Sequence, residues 1–195
     1  MNLQQTCYVV FWDLIFFDMR VIVIGVGFVG RPLCDLMERS GHAVVRVTRN
    51  GTDNSTACDV SDRDSLNLLH EEKGEADIII HCASSGSRGT DRVARYKEVY
   101  VDGCRNVLET FSDARFIFVS SSSVYGQRDG SVVGEKSITE PLSVTSKLLL
   151  EAESITSDFG GSVARLAGIY GPGRSYLLKR YIEGSAPVSY THLRA

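Results

Sequence analysis

The sequence predicts an α/β protein built on a doubly wound, mostly parallel sheet with helices on both faces. Two observations predict it. Apolar, β-branched runs of strand length alternate with helical patterns from Arg20 to Gly173, and that alternation implies parallel strands joined by crossover helices. The first such run, RVIVI, passes straight into three glycines spaced G-x-G-x-x-G at Gly25, Gly27 and Gly30. Val21 to Ile24 is continuously apolar, as a strand buried on both faces must be. Beyond the glycines, Phe28, Leu33, Leu36 and Met37 recur at helical spacing, so the glycines occupy a strand-to-helix turn.

That placement gives the glycines a mechanism. Residues without Cβ let the chain turn tightly and let the backbone N–H groups of Phe28, Val29 and Gly30 approach a diphosphate, while the helix start supplies partial positive charge. The motif alone is weak, because every βα turn favours glycine; strand before and helix after are what point it to a nicotinamide dinucleotide.

The elements follow in order. Ser40-Gly41 stops the first helix, and AVVRVT at 43–48 is the second strand. An acidic residue near the end of this strand holds a ribose 2′-hydroxyl, whereas a basic one accommodates a 2′-phosphate. Here the strand ends Thr48-Arg49-Asn50, so NADP is favoured over NAD, with Arg49 as phosphate partner and Thr48 assisting. Asp59-Val60 precedes a cap cluster at 61–64 and a helix over 65–72. DIIIHCA at 77–83 is the next buried strand; its His81 reads as a packed histidine and not as a catalyst. A Gly/Ser loop at 84–90 leads to a long helix over 96–110 with Val99, Val107 and Leu108 on its apolar side. Residues 116–119 form a further strand, followed by four serines at 120–123 and then Val124-Tyr125-Gly126. That is where doubly wound sheets place their ligand crevice. A loop at 127–141, a helix through Lys147 to Ala152, and a short strand at 162–166 running into GIYGPGR complete the alternation.

Composition sets the bounds. The chain has 195 residues, 43% hydrophobic and 23% charged, enough for one globular domain or one domain with part of a second. Net charge is −3 with dispersed basic residues, so nothing marks a nucleic-acid surface, and an anionic ligand needs a local positive site. Five scattered cysteines, Cys7, Cys34, Cys58, Cys82 and Cys104, form no C-x-x-C and suggest small buried hydrophobes in a reducing cytoplasm, with no metal site. The apolar stretch CYVVFWDLIFF lacks a basic flank, contains Asp13 and is too short to span a bilayer. Because Met19 immediately precedes the first strand, residues 1–18 read as a non-native extension. A chain beginning at Met19 is then expected to fold unaided. Residues 19–175 read as the nucleotide-binding domain and 176–195 as the remnant of a substrate-binding region, whose last residues VSYTHLRA resemble translated adapter sequence.

The ordered motifs resemble the extended or atypical short-chain dehydrogenase/reductases, the NAD-dependent epimerase/dehydratase group. They are the glycine turn, Asp59-Val60, His81-Cys82-Ala83, GCRNVLE at 103–109, SSSSVYG at 120–126, Lys147 and RLAGIYGPG at 165–173. The resemblance implies a Rossmann-type domain with cofactor contacts from Asp59, Val60, Cys82, Ala83 and Lys147 besides the glycine turn. It also implies a small-molecule substrate, a carbonyl or hydroxyl compound or a nucleotide sugar, and a homodimer formed through a helix pair. For chemistry it implies a Ser–Tyr–Lys arrangement, in which a cation lowers a phenol pKa near 10 so that the phenol can exchange protons near neutrality. Ser121 matches the serine and Lys147 the lysine. The tyrosine of Y-x-x-x-K is replaced by Ser143, so either another phenol takes its place or the redox step is impaired. Tyr125 is the nearest candidate in sequence, and Tyr100 stands where relatives usually carry asparagine. Relatives build their substrate pocket after the G-P-G element, where only 22 residues, 174–195, remain here, so the chain reads as a fragment.

Overall fold

A computed structural model describes residues 18–52, 54–86 and 91–185. The chain runs β1 (Arg20–Ile24), α1 (Gly30–Arg39), β2 (Ala43–Thr48), β3 (Thr56–Ala57), α2 (Arg63–Lys73), β4 (Ile78–His81), α3 (Arg92–Tyr96), a π-helical turn (Lys97–Asp102), α4 (Gly103–Thr110), β5 (Arg115–Ser121), a 3₁₀ turn (Ser122–Val124), α5 (Val144–Asp158), β6 (Ser162–Leu166) and α6 (Tyr176–Ile182). Six strands form one sheet in the order β3-β2-β1-β4-β5-β6, and every pairing is parallel. This is the doubly wound order whose reversal point lies between β1 and β4, where the crevice opens at the carboxyl ends of the strands.

The apolar runs explain the arrangement. β1 is flanked on both sides, with Ile22 opposite Val45 of β2 and Ile79 of β4, so it has no polar edge to satisfy. Its residues alternate between two cores. Val21 and Val23 pack with Cys34 and Leu33 of α1, while Ile22 and Ile24 pack with Leu66 and Leu69 of α2, Val107 of α4 and Phe118. Each fully buried side chain of this kind is worth about 1.5–3 kcal/mol relative to exposure. β6, the outer strand, is only half-buried along its apolar length.

Four details depart from the sequence-based expectations. β3 is a two-residue strand, too short to carry any period. β5 extends two residues further than expected, because Ser120 and Ser121 pair with Arg165 and Leu166 of β6; two of the four serines therefore belong to the strand. The helix expected from 96 begins at Arg92, capped by the Asp91 carboxylate, which accepts from the Ala94 N–H at 2.9 Å. It also contains the π turn, an inserted residue that side-chain spacing does not reveal. α2 begins at Arg63, capped by Asp62. Residues 1–17 and 186–195, on which most of the expected extension and the adapter-like end fall, lie outside the described residues.

Candidate functional site

A cleft of about 920 Å³ opens at the carboxyl edge of the sheet. Its walls are the glycine turn at Gly27 to Val29, the end of β4 at Cys82 to Ser84, Tyr96 and Tyr100, the serines at 120–123, the start of α5 and the loop after β6.

The three glycines do different jobs. Gly25 has φ +95°, and a Cβ there would come within 2.4 Å of the Ala83 backbone, so only glycine lets β1 turn beside β4. A Cβ on Gly30 would lie 2.0 Å from the Gly25 carbonyl oxygen, so the third glycine lets α1 start against its own turn. Gly27 is the opposite case: a Cβ there would meet nothing within 4 Å, and the residue faces the cleft. The first and third glycines close the turn, and the second leaves a bare backbone facing open space. α1 starts there with Val29 at the cap position and no side chain capping it. The Arg31 N–H already donates to the Gly27 carbonyl at 3.0 Å and Pro32 carries none, so the N–H groups of Val29 and Gly30 are the ones left for a ligand. This cradle fits a dinucleotide diphosphate.

Of the other sequence-predicted residues, Phe28, Val29, Cys82, Ala83, Ser121 and Tyr125 also line the cleft. Burial, reinforced by nearby Cys34, pushes the Cys82 thiol up to about 12, so it is an inert wall. Arg49 is exposed at the carboxyl end of β2, outside the cleft walls, and Thr48 is otherwise engaged: its hydroxyl meets Ser55 Oγ at 2.6 Å and accepts from the Thr52 N–H. Asp59 is half-buried and follows β3; burial opposes its ionisation, but Ser61 donates to it from both N–H and Oγ at 3.0 and 2.7 Å. With Arg95 and Arg49 nearby, its carboxyl is held below the usual range. Val60 is buried, and its carbonyl accepts from Asn106 Nδ2. Lys147 is exposed on α5 and is not among the cleft-lining residues.

The chemistry expected of the phenol is redistributed. Ser143, at the position of the family tyrosine, caps α5: its Oγ accepts from the Ser146 N–H at 3.1 Å and meets the Ser146 and Thr145 hydroxyls at 2.8 and 3.0 Å. Tyr125 reaches the cleft, yet its hydroxyl donates to the Gly134 carbonyl at 2.9 Å and accepts from Arg165 Nη1 at 2.8 Å. Two further phenols stand in the wall. Tyr100, in the π turn, is 9% exposed, its hydroxyl accepts from the Ser85 N–H, and burial raises its pKa. Tyr96 packs edge-on against it at 5.0 Å. Ser121 Oγ accepts from the Ser123 N–H at 3.2 Å.

A buried network that sequence reasoning missed underlies this wall. Glu153 of α5, 4% exposed, accepts from Ser120 Oγ at 2.6 Å and is held by Arg165 of β6 at 2.6 Å. The signal was present in S-V-A-R-L: an arginine inside an otherwise apolar strand needs a buried partner. His81 is fully buried, and its Nε2 lies 3.1 Å from the Val99 carbonyl in the π turn, which places the ring in the core.

A six-stranded parallel sheet with helices on both faces and a glycine cradle at its switch point defines a Rossmann-type domain. Residues 21–182 match the model of the NAD dependent epimerase/dehydratase family, and the chain belongs to that family. It is 25% identical over 201 residues to protein YeeZ of Escherichia coli K12, a match covering 89% of this chain and 69% of YeeZ. The fold is that of WbmH from Bordetella bronchiseptica, solved in complex with NAD+, with TM-score 0.71 at 19% identity, over 86% of this chain and 64% of WbmH. MoeE5, solved with UDP-glucose and NAD, is 26% identical with TM-score 0.64, over 85% of this chain and 62% of MoeE5. The chain thus spans less than two thirds of either solved neighbour.

Proposed function

We propose that this chain is the cofactor-binding part of an NADP-preferring oxidoreductase or epimerase acting on a carbonyl, hydroxyl or nucleotide-sugar substrate. The observation that carries the reading is the open face of Gly27 between two glycines that pack closed. In it, the backbone from Gly27 to Gly30 takes the diphosphate, Asp59 and Val60 border the adenine, and Cys82 and Ala83 back the cofactor. When bound, that cofactor supplies hydride exchange at the substrate carbon. Ser121 holds the substrate oxygen, and Lys147 reaches the ribose from α5. Proton exchange at that oxygen falls to a cleft phenol. The Tyr125 hydroxyl commits its proton to the Gly134 carbonyl, whereas Tyr100 and Tyr96 only accept, from the Ser85 N–H and from Arg92 Nη2, so theirs are the phenol protons left to exchange. Arg49, at the end of β2 with no carboxylate beside it in sequence, is assigned to the 2′-phosphate. The nucleotide-sugar class leans on MoeE5, which was solved with UDP-glucose. A cytoplasmic homodimer paired through helices belongs to the same reading. Among the described residues no helix is long and apolar enough to cross a membrane.

Calorimetry with NADPH and NADH tests the cofactor reading. NADPH should bind more tightly, Arg49→Ala should erase the difference, and Gly27→Val should abolish binding of both; an NADH preference indifferent to Arg49→Ala removes the NADP assignment. Turnover of NADPH against a carbonyl panel by a version carrying the downstream sequence, with Tyr96→Phe, Tyr100→Phe, Tyr125→Phe and Lys147→Ala, tests the chemistry.

One observation favours a second reading, a catalytically silent NADP-binding sensor or scaffold. Ser143 serves as a helix cap where the family carries its tyrosine, so the relay has lost its usual phenol. NADPH binding without turnover of any substrate selects this reading.

A further inference from the structure

The glycine turn contributes no charged side chain between Gly25 and Gly30, and the chain as a whole is acidic at −3. Backbone N–H groups and the helix start offset part of a diphosphate's charge on Gly27, and any side-chain cation has to come from outside the turn. The loop after β6 supplies one. Arg174 lines the cleft, and its guanidinium carbon lies 5.3 Å from the centroid of the Phe28 ring, the residue directly after Gly27. The loop is built for that contact. Gly171 and Arg174 bridge each other through both backbone pairs, at 3.1 and 2.9 Å, which turns the loop back on itself. A Cβ on Gly171 would stand 3.0 Å from Phe28 Cζ, so the glycine makes room for the ring. Among the described residues no carboxylate pairs with Arg174, in contrast to Arg46, which holds two, and to Arg95 and Arg165, which hold one each.

We infer that Arg174 is a diphosphate-binding residue, docked on Phe28 so that its guanidinium stands beside the Gly27 cradle and donates a fork of N–H groups to the dinucleotide's diphosphate oxygens. The inference rests on the dinucleotide reading above and adds to it a residue from the far end of the domain. A planar guanidinium matches two phosphate oxygens at once, and stacking on an aromatic face holds it in place without neutralising it. Phe28 then has two functions, covering the turn and aiming the arginine. The shared chemistry, a diphosphate, is also present in nucleotide sugars, and the experiment separates the two sources.

Calorimetric Kd values for NADPH, ADP-ribose and UDP-glucose are measured on the full chain and on Arg174→Ala, Arg174→Lys and Phe28→Ala, with thermal melts alongside. Arg174→Ala should weaken NADPH and ADP-ribose about 10- to 100-fold, the range expected for one lost hydrogen-bonded charge. Phe28→Ala should weaken both in the same direction, and Arg174→Lys should fall between wild type and alanine because it keeps charge but not the fork. Unchanged NADPH and ADP-ribose affinities with weakened UDP-glucose assign Arg174 to a substrate diphosphate and overturn the inference. Unchanged affinities throughout overturn it as well, while leaving the cofactor reading standing. Should the alanine variant lose its fold, Arg174→Lys decides: a wild-type NADPH affinity there counts against the inference. A wild-type chain that binds neither NADPH nor NADH removes both the inference and the reading beneath it.

Discussion

Arg165 donates Nη1 to the phenol oxygen of Tyr125 at 2.8 Å and lies 5.1 Å from the centroid of the same ring, while its Nε and Nη2 edge holds Glu153. One guanidinium thereby ties β6 to α5 and to the segment after β5. With Ser120 donating to the same carboxylate, the serine wall of the cleft is anchored from behind. Removing Glu153 strips a partly buried guanidinium of its carboxylate, although Tyr125 still accepts from it, and leaves the buried Ser120 hydroxyl without its acceptor. That change falls at the low end of what breaking a buried pair costs, about 3–5 kcal/mol. Glu153→Ala should accordingly lower the melting midpoint by roughly 6–12 °C, taking about 3 kcal/mol and the dependence expected for a domain of this size. A midpoint within 2 °C of wild type would mean that the network is ornamental.

The glycine turn makes a sharper prediction, because its three members are unlike. Gly25→Ala and Gly30→Ala each drive a Cβ into backbone, at 2.4 and 2.0 Å, and should destabilise by about 2–5 kcal/mol or prevent folding. Gly27→Ala adds a methyl to open space, so the melting midpoint should stay within a few degrees while NADPH affinity drops. Melts and calorimetry on the three variants check this. Equal loss of stability in all three would show that the cradle is merely a tight turn.

Much of this was legible before the structure. The β-branched runs 21–24 and 78–80 have no polar face, so they had to be central strands, and the alternation with helices then forced parallel pairing. What stayed hidden was non-local or below any period. Thr56–Ala57 is too short to show alternation, and the π turn leaves helical spacing intact on both sides. The Glu153–Arg165 pair joins residues 12 apart across a helix-to-strand connection, and the Phe28–Arg174 stack joins opposite ends of the domain. Neither can be read from neighbours in sequence. Ser143 was legible as a departure from the family pattern but not as a cap, since its role depends on where α5 begins.

His81 sets an acid limit on stability. Burial pushes its pKa down to about 4, opposed only in part by the bond to the Val99 carbonyl, and its buried Nδ1 has no hydrogen-bond partner among the described residues. Since that carbonyl can only accept, Nε2 carries the proton and the ring is neutral. Unfolded, the ring protonates below about 6.5; folded, only below about 4, so between these limits the unfolded chain binds more protons and stability rises with pH. The contribution is fully present above pH 6.5 and is lost as pH falls toward 4, by at most about 3 kcal/mol. His81→Gln keeps a donor for Val99 but does not titrate. Chemical denaturation at pH 7, 6 and 5 should show a shallower acid loss in the variant, and parallel curves would refute the assignment.

The last prediction concerns the missing tyrosine. Ser143 Oγ accepts from the Ser146 N–H, so Ser143→Ala should cost about 1 kcal/mol, or 2–4 °C, through loss of the cap. Ser143→Tyr loses the cap in the same way but places a phenol in the cleft wall four residues before Lys147, which restores the Y-x-x-x-K spacing. On the oxidoreductase reading proposed above, with proton exchange limiting, the tyrosine variant should turn over NADPH with a carbonyl substrate at least tenfold faster than wild type, within the range of general acid catalysis. The two variants are equally handicapped in stability, so a gain seen with tyrosine and not with alanine isolates the phenol. A tyrosine variant no faster than wild type would mean that the relay is already served by another cleft phenol, and the Tyr100→Phe comparison then decides whether it is the one in the π turn.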